Sequence, residues 1–160
     1  MKKFIFFMVA MFAISLPNIY AQDAIKIVTN HPDFKIKVKR CAASGKTVVI
    51  DLILTNEGTN DVEGVTVSGG YWGSEAYDDE GNIYQKGNLS VKVANRNEYG
   101  ETSGKFNIPT GVPMKLSIQI NGVPQAAESI ARLKLTVNCS AWGLNNQKPV
   151  KISNIPISRD

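Results

Sequence analysis

Phe34-Lys35-Ile36-Lys37-Val38-Lys39 alternates strictly between apolar and cationic side chains. A period of two sends successive side chains to opposite faces of a strand, so this stretch buries one row and wets the other only as a half-covered β-strand. Wound as a helix, the same residues would spread their apolar groups around the cylinder. The Ala43-Ser44-Gly45 turn leads to Thr47–Thr55, rich in β-branched residues and read as a central strand. Strands are expected again at Val62–Ser68, Leu89–Ala94, Met114–Ile120, Arg132–Cys139 and Pro149–Ile157, with Pro156 marking a sheet edge, and Tyr71-Trp72 is expected to open another short extended piece. Ala76-Tyr77 and Ile83-Tyr84 flank a polar loop, the pattern of a hairpin with Gly81 or Asn82 at positive φ. Pro124–Ala131 is Ala-rich with proline at its start, which predicts one short helical turn. The spacing of these signals predicts an all-β chain, an immunoglobulin-like antiparallel β-sandwich of about seven to nine strands.

The N-terminus reads differently. Lys2 and Lys3 precede an apolar run from Phe4 to Leu16, and Ala21 offers a small residue for cleavage, the layout of a secretory signal. The run is shorter than the roughly 20 residues of a spanning helix, and no cysteine stands at the cut to take a lipid, so no membrane anchor is expected in the mature chain. The expected organisation is therefore a signal peptide at 1–21, an N-terminal segment at 22–33 and a sandwich domain at 34–160, in an exported protein of the periplasm or the outside of the cell. Without the leader the chain carries 16 basic against 14 acidic residues, instead of 18 against 14. A nearly balanced domain argues against nucleic acid as a partner, because that binding rests on clustered Lys and Arg.

Cys41 and Cys139 are the only cysteines. In an oxidising compartment such a pair reads as a disulfide, stabilising the fold by about 4 to 5 kcal/mol through closure of the long loop between them. Alternation opposes this reading. Cys41 falls on the face of Lys35, Lys37 and Lys39, whereas Cys139 shares one with Leu133, Leu135 and Val137, so a bridge needs a bulge or a strand end at one cysteine. Two buried or free thiols are the alternative.

Several motifs invite chemistry. Ser44-Gly45-Lys46-Thr47 ends like a phosphate-binding loop, but Arg40 stands where the first glycine belongs and a strand follows instead of a helix. Asp78, Asp79, Glu80 and Asn82 form a weak calcium candidate, although Gly81 sits at the fourth position of the loop where a helical hand wants glycine at the sixth. His31 is the only histidine, and no G-x-S-x-G is present, so no catalytic residue and no cofactor is assigned. Trp72-Gly73 and Trp142-Gly143 each set a Trp beside a glycine. These rings, with Tyr71, either plug the core or form a surface platform for a protein or a glycan. The lysine row is a solvated face that discourages edge-to-edge pairing or a docking surface for an acidic partner.

Thr55-Asn56-Glu57-Gly58 and Ala76-Tyr77-Asp78-Asp79-Glu80-Gly81-Asn82-Ile83-Tyr84 resemble, in that order and spacing, a group of exported bacterial immunoglobulin-like domains of unknown function with a T-N-x-G turn followed by an A-x-D-x-x-G-N-x-Y hairpin. The resemblance implies a fold and no activity. A non-enzymatic binding or structural module contacting protein or glycan is the expectation. A small secreted hydrolase with a carboxylate pair, or an enzyme inhibitor, is the alternative.

Overall fold

A computed structural model describes residues 24–94, 96, 98–139 and 147–159, so the signal-peptide reading and Trp142 lie outside the described residues. Among the described residues twelve strands follow in chain order. They are β1 (Lys26–Thr29), β2 (Phe34–Ser44), β3 (Thr47–Asn56), β4 (Val62–Ser68), β5 (Glu75–Asp78), β6 (Ile83–Tyr84), β7 (Leu89–Val93), β8 (Phe106–Ile108), β9 (Met114–Asn121), β10 (Ser129–Cys139), β11 (Gln147–Pro156) and β12 (Ser158–Arg159). One sheet orders them β12-β2-β3-β9-β7, and the other β1-β11-β10-β4-β8, with β5 and β6 extending the β4 side of β10. The orders β2-β3-β9-β7 and β11-β10-β4 are those of an immunoglobulin sandwich, whose two layers run A-B-E-D and G-F-C. The protein is thus an all-β, immunoglobulin-like sandwich.

Its core is the inward row of each strand. Val48, Ile50, Leu52 and Leu54 of β3 and Leu116, Ile118 and Ile120 of β9 are buried from one layer, and Val65, Val67, Leu133, Leu135, Val137, Val150 and Ile152 from the other. Each such side chain stabilises the fold by about 1.5 to 3 kcal/mol relative to leaving it in water. The lane of β11 also explains its prolines. β1 pairs β11 only from Val150 to Ser153, so Pro149 and Pro156 lie beyond the stretch where both sides of the strand need an amide. β11 is accordingly interior only over Val150–Ser153, and Pro156, paired with Ser129 on one side alone, ends it where one side of the strand is open and the chain crosses to β12 on the other sheet.

Two expectations need correction. The helical turn over 124–131 is not formed, and among the described residues there is no helix. A single Ala127 N–H···O=C Pro124 turn (3.2 Å) is all that remains. The Asp79 carboxylate takes the Glu128 and Ser129 amides at 3.0 to 3.1 Å, and Ile130 is drawn fully into the core, so tertiary contacts override the alanine composition. Tyr71-Trp72 likewise forms a turn where an extended piece is expected.

Candidate functional site

β4 and β5 pair with the same strand, Ser68 opposite Thr136 and Glu75 opposite Lys134, so Gly69–Ser74 is an excursion between two pieces of one lane. Its base is tied on every side. Gly69 N–H donates to the Glu101 carbonyl (2.7 Å), Gly70 N–H to that of Leu89 (2.9 Å), and the amides of Trp72 and Ser74 both return to the Gly69 carbonyl (3.2 Å). The buried Ser74 hydroxyl donates to the Ser68 carbonyl (2.6 Å) and accepts the Thr136 amide (2.9 Å). Glycine is required at the foot because backbone fills the space. A Cβ on Gly70 would lie 2.5 Å from the Lys86 carbonyl oxygen, and one on Gly69 would lie 2.8 Å from that of Leu89. On this base Tyr71 and Trp72 stand 62% and 63% exposed, so both rings belong to the surface. The Glu101 carboxylate accepts the Tyr71 amide at 3.2 Å. Fixing the backbone in advance lowers the entropy that a partner must remove on binding.

The neighbouring hairpin turns its polar groups inward. Asp78 is 3% exposed and accepts the Tyr84 hydroxyl (2.6 Å), the Asn82 side-chain amide (2.9 Å) and the Asn82 backbone amide (2.8 Å). Burial pushes its carboxyl up, but these donors outweigh burial and hold it below the ordinary Asp value. Burial first, then the Asp78 carboxylate, pushes the Tyr84 hydroxyl well above its usual value. Gly81 takes φ +86° at the tip, as expected. Asp79 is spent on the Glu128 and Ser129 amides and the Ser129 hydroxyl. Of the calcium candidates Asp78, Asp79, Glu80 and Asn82, Asp78 and Asn82 bond to each other and Asp79 to the 128–129 backbone, and among the described residues no group of three or more His, Cys, Asp or Glu side chains is placed to hold a metal ion.

Asp51 is the other buried carboxylate, on the outer face of β3. It accepts the Ser117 hydroxyl (2.6 Å) and pairs with Arg40 (3.2 Å) and Lys115 (3.4 Å) from the flanking strands. Burial raises its carboxyl, and Ser117, Lys115 and Arg40 together bring it below the ordinary range. Arg40 reaches Asp51 because β2 bulges between Val38 and Arg40. The same bulge swings Cys41 off the lysine face into the core.

Cys41 and Cys139 are both buried, free thiols. Burial pushes the Cys41 thiol up to about 12 against the opposing pull of Arg159, and the Cys139 thiol donates to the Glu63 carbonyl (3.1 Å). His31 stacks on Phe34 with ring centroids 3.9 Å apart, a packing role at the entry to β2. Ser44–Thr47 is the β2–β3 turn, with strand on both sides. Ser74 and Glu101, which complete the foot of the aromatic turn, escape sequence reading.

No known family's sequence profile matches the chain, and no curated protein does. Among solved structures it is similar to a family 123 glycoside hydrolase from Clostridium perfringens (14% identity, TM-score 0.38, covering 84% of this chain and 26% of that one). It is also similar to the PapD-like domain 7 of human CEP192 (15%, 0.39, covering 80% and 84%) and to the self-complemented fimbrial subunit MyfA of Yersinia enterocolitica (11%, 0.34, covering 82% and 99%). The chain spans about a quarter of the hydrolase's length. At these scores none of the three bears on function, and the fold assignment stands on the strand order alone.

Proposed function

We propose that this protein is an exported, non-enzymatic binding module of the bacterial immunoglobulin-like group that its T-N-x-G turn and A-x-D-x-x-G-N-x-Y hairpin resemble, and that it grips its partner through Tyr71 and Trp72. The observation that carries the reading is two large aromatic rings, more than 60% exposed, on a turn whose foot is held by hydrogen bonds from the Gly69, Gly70, Trp72 and Ser74 amides. Surface rings of this kind are stacking platforms for sugar faces and anchors at protein contacts. Adjacent flat rings favour a glycan, with a protein as the other class of partner. A carboxylate-pair hydrolase needs one carboxyl kept protonated near neutrality. Asp51 and Asp78, the two buried carboxylates, are both biased toward ionisation and saturated with donors, which supports the non-catalytic reading.

The test compares wild type with Trp72→Ala and Tyr71→Ala on an immobilised glycan panel, followed by titration calorimetry with any glycan retained. Retention that both substitutions abolish supports the glycan reading. Retention of a glycan by both variants at wild-type strength overturns the platform.

A further inference from the structure

The two edges of the β12-β2-β3-β9-β7 sheet are finished differently. At β7 the following loop folds back, and Val91 exchanges both backbone hydrogen bonds with Gly100 (2.9 and 3.0 Å), so that edge is closed. At β2 the lane outside the strand is filled only at its far end, where β12 pairs in parallel with Ala42 and Ala43. From Lys35 to Arg40 β2 pairs with β3 on one side, and no described strand occupies the other. We propose that this open stretch is a strand-addition site for an extended segment of another protein in which acidic and apolar side chains alternate.

The two faces of the vacant lane define that pattern. On one face Lys35 and Lys37 project from β2, and the hollow of about 350 Å³ that they share with Ile53, Thr55, Glu57 and Pro113 lies on the β3 side of them, which leaves the side toward the lane to an added strand. Glu57 already sits 2.8 Å from the Lys35 ammonium, both side chains exposed, so the face accepts a carboxylate. Among the described residues Lys37 has no such ion pair. On the other face Ile36 and Val38 are only partly buried, unlike their neighbours Leu52 and Leu54 on β3, and among the described residues no strand pairs with β2 on that side. Val38 and Lys39 line a second hollow of about 180 Å³ with Ile155, Pro156 and the 40%-exposed Ile25. An added strand alternates its side chains between these faces, setting acids against the lysines and apolar groups over the seam, while its backbone takes the unused ladder positions. A second copy of β2 is a poor occupant, since it would bring lysines opposite lysines. The lysines thus repel the wrong edge and select the right one.

The probe is a fluorescent, end-capped eight-residue peptide of alternating Glu and Val, titrated against the purified protein by anisotropy. The expected result is saturable binding that weakens at least tenfold between about 0.02 M and 0.3 M salt, with no binding of the matching Lys–Val peptide. Lys35→Glu with Lys37→Glu, both at exposed positions, weakens the Glu–Val peptide by roughly tenfold and gains the Lys–Val peptide. Methylating alternate backbone nitrogens of the Glu–Val peptide, which keeps its charge, abolishes binding, and Trp72→Ala leaves it unchanged. Failure of the Glu–Val peptide to bind overturns the proposal. So does undiminished binding of the methylated peptide, or equal competition by polyphosphate, each of which would reduce the edge to a patch of positive charge.

Discussion

Two turns beside β10, four residues apart in sequence, use their side chains in opposite ways. The 78–82 hairpin spends its polar groups on itself: Asp78 collects three donors, Asp79 holds the start of β10, and Tyr84 is buried with its hydroxyl on Asp78. The 69–74 turn spends only backbone and small residues on its own structure and leaves Tyr71 and Trp72 in water. The conspicuous A-x-D-x-x-G-N-x-Y pattern is therefore a staple that makes a hairpin, and its residues are a poor place to look for a binding site. The surface that costs the fold nothing is the one available to a partner.

Substitutions separate the two turns. The largest expected effect is at the shared foot: Gly70→Ala drives a Cβ into the backbone of Gln85 and Lys86, which cannot rotate away. A loss of about 3 kcal/mol is expected, read as a lower urea midpoint, with the aromatic turn displaced as well. Tyr84→Phe comes next. Deleting a hydroxyl that donates to a buried carboxylate at 2.6 Å costs about 2 kcal/mol, with partner binding unchanged. A Tyr84→Phe protein that keeps its midpoint but loses its ligand would reverse the assignment of roles.

How far the sequence foretold this depended on whether local pattern and tertiary contact agreed. β2, β3, β7, β9 and β10 were legible because alternation and burial coincide, with Leu116, Ile118 and Ile120 all inside. β8 has three residues between Gly104 and Pro109, and β12 has two, too few for a period to register. The helical turn at 124–131 failed because Asp79, 49 residues from Glu128, claims its amides. The inward turn of Cys41 needed the Val38–Arg40 bulge, which the conflict of faces hints at and alternation alone does not place. For the site, Trp beside glycine was visible, but whether the ring faced in or out was decided by Leu89, Glu101 and Lys86 packing against Gly69 and Gly70.

Acid should loosen the hairpin before it touches the aromatic turn's exposed rings. Asp78 and Asp51 both have carboxyls held below their ordinary value when folded, so the unfolded chain binds those protons more readily. Their contribution is complete above the unfolded carboxyl pKa of about 3.9 and is lost as pH falls through the lower folded values. Urea midpoints measured from neutrality downward should stay level and then decline below about pH 4. Asp78→Asn should lower the neutral midpoint and flatten that decline. A decline of unchanged depth in both Asp78→Asn and Asp51→Asn would assign the acid sensitivity elsewhere.

The smallest expected change in stability belongs to Trp72→Ala, and it tests the comparison most directly. The ring is 63% exposed, whereas the turn beneath it is held by Gly69, Ser74 and Glu101 without any use of the indole. Removing an exposed side chain away from packing usually shifts stability by no more than about 0.5 kcal/mol in either direction. The Trp72→Ala midpoint should match wild type within that margin while the partner is lost. A fall of about 2 kcal/mol or more would instead mean that the indole packs against the fold in solution, and the contrast between a self-satisfied hairpin and an offered aromatic turn would collapse.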